Sequence, residues 1–179
     1  KEVNEWLIKS AFNSEIFIEK NRDTKMMYII EKETGVTINI ADAGSGIRNL
    51  IPIITVSILS NKNQNNLKNT SSRMTPDPII ALEEPEVNLH PKLQIDLAEF
   101  LIKFSKNKKF IIETHSELMM RKCQQLIRNG EISKDEVKVY CVRKNKEGHY
   151  VDEIRLDKFG NFRDEWPHGF FKERMDLLD

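Results

Sequence analysis

The sequence predicts an α/β fold, mainly a parallel sheet with flanking helices, plus a small antiparallel meander near the N-terminal end. Three observations carry this. Strand-length apolar runs alternate with helical patterns through the second half. The first forty residues instead hold short strand-like runs separated by polar turns. Finally, Ile79-Ile80-Ala81-Leu82 and Phe110-Ile111-Ile112 are continuous apolar runs that stop at polar residues, the first of them suited to a strand buried on both faces.

Taken in order, Val3, Trp6, Leu7 and Ala11 fall at helical spacing, so the chain opens on a short amphipathic helix. Residues 14–20 and 25–32 read as strands around a turn at Asn21-Arg22-Asp23, and Glu33-Thr34-Gly35 turns into a strand over 36–40. A helix then carries Ile47, Leu50, Ile51, Ile54 and Ile58 on one face, and Pro52 calls for a short or bent first turn. From Asn61 to Pro78 the composition collapses to Asn, Lys, Gln, Ser and Thr, which predicts a mobile loop over 61–78.

Residues 79–82 form the next strand, and Pro91 opens a helix at a position where its missing donor does no harm. That helix has Leu93, Leu97, Phe100, Leu101 and Phe104 as its stripe. Residues 109–114 are a strand, and Ser116 can cap a helix carrying Met119, Cys123, Leu126 and Ile127. Residues 137–142 and 150–156 are strands about a polar turn at Glu147-Gly148. The alternation of strand and helix predicts a parallel sheet with helices packed on it.

Bulk properties bound the function. The 179 residues are long enough to bury a core. The 28 basic and 28 acidic residues cancel, so charge gives no support to an electrostatic grip on nucleic acid. Local clusters at Lys103, Lys106, Lys108, Lys109 and at Arg121-Lys122 fit solvated helix faces equally well. Cys123 and Cys141 have no CxxC partner, and read as buried thiols in a reducing compartment. With no apolar run of spanning length, the expectation is a cytoplasmic protein that does not enter the membrane. The chain begins at Lys1 within an amphipathic pattern, as a segment of something longer would.

Glu83 and Glu84 stand at the carboxyl end of a predicted parallel strand, where ligands of open α/β sheets bind. Carboxylate oxygens suit Mg²⁺, and a second carboxylate beside the ion can orient or deprotonate an attacking water. The plain alternative is a strand running into an acidic solvated loop. The segment that follows, Pro85-Glu86-Val87-Asn88-Leu89-His90-Pro91, leads straight into a helix. One strand–helix unit later comes Glu113-Thr114-His115-Ser116, where a histidine can bond a phosphate oxygen or a water, although such a residue is often only a cap. Upstream, Asp42-Ala43-Gly44-Ser45-Gly46-Ile47-Arg48 joins a strand to a helix, and glycines at a helix N-terminus let backbone amides approach an anion.

In this order the motifs resemble those of ABC-type ATPases of the RecF, SMC and OLD (overcoming lysogenization defect) kind. The resemblance implies the C-terminal portion of a P-loop NTPase core over residues 1–156, followed by an aromatic tail over 157–179. The run from Ile79 to Glu86 would be Walker B, with Glu83 in the Mg²⁺ shell and Glu84 the catalytic glutamate. Asn88 to Pro91, with Asn88 and His90, would be the D-loop, and His115 the switch histidine. Gly44, Ser45 and Gly46 would be the signature turn that touches the ATP held by an opposite subunit. The segment departs from the family pattern at Glu83, where many members have Asp, at Gly44, in place of the usual serine, and at Ile47, in place of Gln or Glu. The ending Trp166-Pro167-His168-Gly169-Phe170-Phe171 resembles that of a group of bacterial predicted ATPases.

No Gly-x-x-x-x-Gly-Lys-Ser/Thr occurs in the chain, and Lys9-Ser10 has no glycine before it. In the family the Walker A segment comes first. The expectation is therefore the C-terminal segment of an ATP-hydrolysing, Mg²⁺-dependent ATPase, inactive without a Walker A half supplied by its own N-terminal part or by a second subunit. Such cores work as homodimers, in DNA-linked or defence-related tasks. The alternative is a non-enzymatic module that docks on a complete ATPase and regulates it. A third reading, a metal-dependent nuclease using Glu83, Glu84, Glu86 and His90, ranks last because those ligands fall in one loop.

Overall fold

A computed structural model of the chain describes residues 1–68 and 78–164. It divides into two compact units, Lys1–Thr114 and His115–Asp179, and each is taken by itself.

The first unit opens on α1 (Glu2–Lys9), whose Glu2 and Glu5 in the first turn and Lys9 in the last complement the helix dipole. Asn4 joins this helix to the edge of β1 (Ser14–Lys20). Its amide donates to the Ile16 carbonyl at 2.8 Å and its carbonyl accepts from the Ile16 amide at 2.9 Å. β1 pairs antiparallel with β2 (Lys25–Glu31), from Ser14↔Glu31 to Lys20↔Lys25, and Phe17 stacks on its cross-strand partner Tyr28 with centroids 5.1 Å apart. β3 (Thr37–Asn39) completes the meander, shorter than the 36–40 expected.

α2 (Ser45–Lys68) runs through Pro52, which is exposed. The bond lost is the one a residue at 52 would donate to the Arg48 carbonyl. The helix also continues from Asn61 to Lys68, where a loop is expected. The preceding turns, buried along Leu50, Ile54 and Ile58, have already met the cost of nucleation, and each further residue adds one bond to an existing helix. The rest of that expected loop, residues 69–77, lies outside the described residues.

β4 (Ile79–Glu83), α3 (Pro91–Lys103) and β5 (Lys109–Glu113) form a β–α–β crossover, and β4 and β5 pair in parallel from Ile79↔Lys109 to Glu83↔Glu113. Leu7, Leu50, Ile54, Leu97 and Leu101 are the fully buried centre of the unit. Trp6 meets Phe100 edge to face at 5.3 Å, and Phe100 stacks on Phe104 at 4.3 Å. Burial of β4 on both faces is not what the structure shows. Ile79 is 63% exposed and Ile111 62%, so one face of the pair lies open while Ile80, Leu82, Phe110 and Ile112 on the other are half-buried.

The second unit begins with α4 (Glu117–Arg128), capped by Ser116, whose hydroxyl accepts from the Met119 amide at 3.2 Å. β6 (Val139–Asn145) and β7 (Gly148–Ile154) form an antiparallel hairpin, and among the described residues β6 adds no third strand to the parallel pair. The turn explains the hairpin. Asn145 Oδ1 accepts from the amides of Glu147 and Gly148 at 2.8 and 3.0 Å, and Gly148 takes a φ of 136° that its missing Cβ allows. Beyond β7 the chain is held on α4, where Gln124 Nε2 donates to the Gly160 carbonyl at 2.8 Å and Arg128 Nη2 to Asn161 Oδ1 at 3.1 Å, and it is closed on itself by Arg155 Nη2 pairing with Asp164 at 2.6 Å. Burial pushes the Cys123 thiol up to about 11, so it stays protonated and unreactive near neutral pH. The tail motif at 166–171 lies outside the described residues. No described helix is long and apolar enough to cross a membrane.

Candidate functional site

The site grows from the carboxyl end of β4. Glu83 is the last residue of that strand, exposed, and opposite Glu113 in the parallel register. A cavity of about 430 Å³ on the open sheet face is lined by Ala81, Leu82, Glu83, Ile111 and Glu113. The next residue leaves the sheet sharply. Glu84 has φ 40°, and its amide donates to the Glu113 carbonyl at 2.9 Å. Asn88 repeats the left-handed conformation at φ 61°. Asparagine takes this region readily, but a glutamate there costs on the order of 1–3 kcal/mol, so the turn needs support from outside.

Part of that support is local. The Val87 amide donates to the Glu84 carbonyl at 3.1 Å, and the Leu89 amide to the Glu86 carbonyl at 3.0 Å. Leu89 is buried, and its own carbonyl accepts from Gln94 Nε2 at 3.0 Å. His90 is the N-cap of α3, and its Nδ1 accepts from the Lys92 amide at 3.3 Å. That nitrogen is therefore occupied in capping, which leaves Nε2 as the face His90 can offer a ligand.

The glycine turn reaches this segment from the other side. A Cβ added at Gly46 would overlap the Asn88 carbonyl oxygen and lie 3.2 Å from its carbon and 3.3 Å from Leu89 Cδ2. Only a residue without a side chain lets the first turn of α2 sit on the Asn88 backbone. Gly44 is different: nothing lies within 4 Å of where its Cβ would be. Packing requires glycine at 46 and leaves 44 free. Gly44, Ser45, Gly46, Glu83, Glu84, Asn88 and His90 all belong to the first unit, whereas His115 is the first residue of the second.

One tie was not legible beforehand. Glu86 is 8% exposed, and its Oε1 accepts from the Thr114 hydroxyl at 2.7 Å, across 28 residues of sequence. A hydrogen bond to a charged group contributes about 1.5–3 kcal/mol, the same order as the strain of one left-handed residue. The sequence places Glu86 at the end of the Walker B run and offers it as a nuclease ligand, in neither case with Thr114. No local pattern announces a hydroxyl partner that far away.

The donor set can be tested against the groups the sequence implies. Among the described residues no group of three or more His, Cys, Asp and Glu could hold a metal ion. A closed protein cage is thus not present there, and the nuclease reading loses its cluster. Mg²⁺ usually keeps several waters and takes one or two carboxylates plus a phosphate. The exposed Glu83 carboxylate fits that kind of shared ion.

Comparison with known proteins bears on the family and the fold. The sequence profile described as the AAA ATPase domain matches residues 1–120. No curated protein matches the chain. Among solved structures, the chain is similar to an SMC ATPase from work on ATP-driven dimerization and DNA-stimulated activation, with a TM-score of 0.61 at 13% identity, over 98% of this chain and 86% of that one. The Smc head domain of Pyrococcus yayanosii, with its coiled coil and joint, gives 0.61 at 13% identity, over 88% of this chain and 26% of that one. The Smc head of Pyrococcus furiosus bound to the C-terminal domain of ScpA gives 0.58 at 14% identity, over 98% and 35%. At these identities the likeness speaks for the fold, an α/β core of the ABC-type P-loop kind. By the profile spanning two thirds of its length, the chain belongs to the AAA ATPase domain family.

Proposed function

We propose that this chain is the part of an ATP-hydrolysing, ABC-type ATPase that supplies the Walker B acids, the D-loop, a signature-like turn and the switch histidine. The observation that carries the reading is the seating of Gly46 on the backbone of Asn88, beside the strand end that holds Glu83 and Glu84. In this reading Glu83 joins the Mg²⁺ shell, Glu84 orients and deprotonates the attacking water, and His115 bonds the terminal phosphate. Gly44, Ser45 and Gly46 present backbone amides, and Asn88 and His90 polar groups, to a nucleotide held across a dimer interface. Bound Mg²⁺ would neutralise phosphate charge. A Walker A segment, from the same polypeptide or a second subunit, must bring the nucleotide. The task is DNA-linked or defence-related work in the cytoplasm. The tail at 166–171 supports membership of the Trp-Pro-x-Gly-Phe-Phe group.

The test is ATP turnover by the chain alone and together with a Walker A-bearing segment. We expect activity only in the second case. There Glu84→Gln should keep nucleotide binding while lowering turnover by about 10²–10⁴-fold. Undiminished turnover in that variant would show that the base lies elsewhere. A docking module that regulates a complete ATPase is the second reading, favoured by the open apolar face at Ile79 and Ile111. Calorimetry with ATP·Mg²⁺, with and without the partner ATPase, separates the two.

A further inference from the structure

We propose that Glu86 is a positioning residue whose buried carboxylate, held by the Thr114 hydroxyl, fixes the turn that presents Glu84. The inference rests on the ATPase reading of Glu84 and extends it to a pair that neither the motif order nor the family match assigns.

The geometry is specific. The turn from Glu83 to Leu89 contains two left-handed residues, Glu84 and Asn88, and would relax if left alone. Beside the local bonds, three ties from outside the turn oppose that relaxation among the described residues. The Glu84 amide bonds the Glu113 carbonyl, Asn88 rests against Gly46, and Glu86 takes the Thr114 hydroxyl. The first two are backbone contacts that any sequence with Gly46 retains. The third depends on the side chains at 86 and 114 and can be removed without altering either backbone contact.

Burial argues that the tie has a purpose. A carboxylate next to a strand end could turn into solvent, and burying a charge costs free energy unless its oxygens are bonded. Glu86 is buried nonetheless, while its neighbours Glu83 and Glu84 are exposed. Of three acids within four residues, two face outward at the proposed reaction centre and one faces inward as the anchor. Displacing a reacting group by about 1 Å can cost on the order of 10²-fold in rate, so an anchor two residues from Glu84 would be felt in turnover before it is felt in nucleotide binding.

The experiment measures steady-state ATP hydrolysis in the natural full-length protein that carries this chain. Glu86→Ala and Thr114→Val should each lower kcat by about 10–100-fold with little change in KM for ATP. The double variant should be no slower than the slower single one, because both remove the same bond. Thr114→Ser keeps the hydroxyl and should return most of the lost rate, which a merely structural loss of the threonine methyl would not allow. In parallel, hydrogen exchange on this chain should show faster exchange at the Val87 and Leu89 amides of Glu86→Ala, with the β1–β2 pair unchanged. Unaltered kcat in Glu86→Ala, or a Thr114→Ser variant as slow as Thr114→Val, overturns the proposal. A parent protein that hydrolyses no ATP would sink the ATPase reading instead, and unaltered exchange in Glu86→Ala would then remove the tie as well.

Discussion

Gly46→Ala tests the packing of the glycine turn directly. The added methyl overlaps the Asn88 carbonyl oxygen and sits 3.2 Å from the Asn88 carbonyl carbon, both of them backbone atoms that cannot rotate away. Overpacking of this kind costs about 1–3 kcal/mol, while exchanging Gly for Ala in a helix returns at most about 0.5–1 kcal/mol. The net expectation is a loss of about 0.5–2 kcal/mol. With a urea m-value of about 2 kcal/mol/M, the unfolding midpoint should fall by about 0.3–1 M. Gly44→Ala is the matched control. It lies two residues away with nothing within 4 Å of the new methyl, and should stay within about 0.5 kcal/mol of the parent. If urea titration gives the two variants the same midpoint, the close approach of α2 to Asn88 is not a feature of the folded chain.

Two further outcomes concern charge. Lys108 is buried, donates to the Ser57 carbonyl and to Ser60 Oγ, and lies over the rings of Phe104 and Phe110. Burial holds its ammonium below the ordinary lysine value, so the unfolded chain binds more protons in the window just under pH 10.5 and stability rises with pH there. Lys108→Met should flatten that rise relative to the parent in urea midpoints taken from neutral pH to pH 10.5, and an identical slope would contradict the assignment. At the other end of the scale, the Arg155 guanidinium and amide hold the Asp164 carboxyl down to about 2, against an ordinary value of 3.8. What this pair contributes is present above pH 3.8 and is lost as pH falls through about 2. Carboxyl NMR titration should find Asp164 moving up toward 3.8 in Arg155→Ala, and a parent value already there would refute it.

Much of the fold was legible because periodicity and punctuation agree. The strands at Ser14–Lys20 and Lys25–Glu31, the start of α3 at Pro91 and the Ser116 cap all have local causes. What escaped depends on distant partners. Nothing within Ile79–Leu82 says whether a second layer covers it, and the run reads as doubly buried although Ile79 and Ile111 lie open. The polar residues after Ser60 look like a loop, because composition does not register the helix already running into them. In the site, Gly46 and Asn88 were each visible as motif residues. Their contact is made by backbone, and no residue type encodes it. The Glu86–Thr114 bond joins side chains 28 residues apart and leaves no periodic trace.

The left-handed backbone at Glu84 bears on how this position can change over generations. Glycine or asparagine would adopt φ 40° with less strain than glutamate, easing the fold by about 1 kcal/mol. Selection for stability alone would thus drift position 84 away from an acid. A lineage freed from whatever the carboxylate does should therefore lose it early, and gain a sturdier turn in the process.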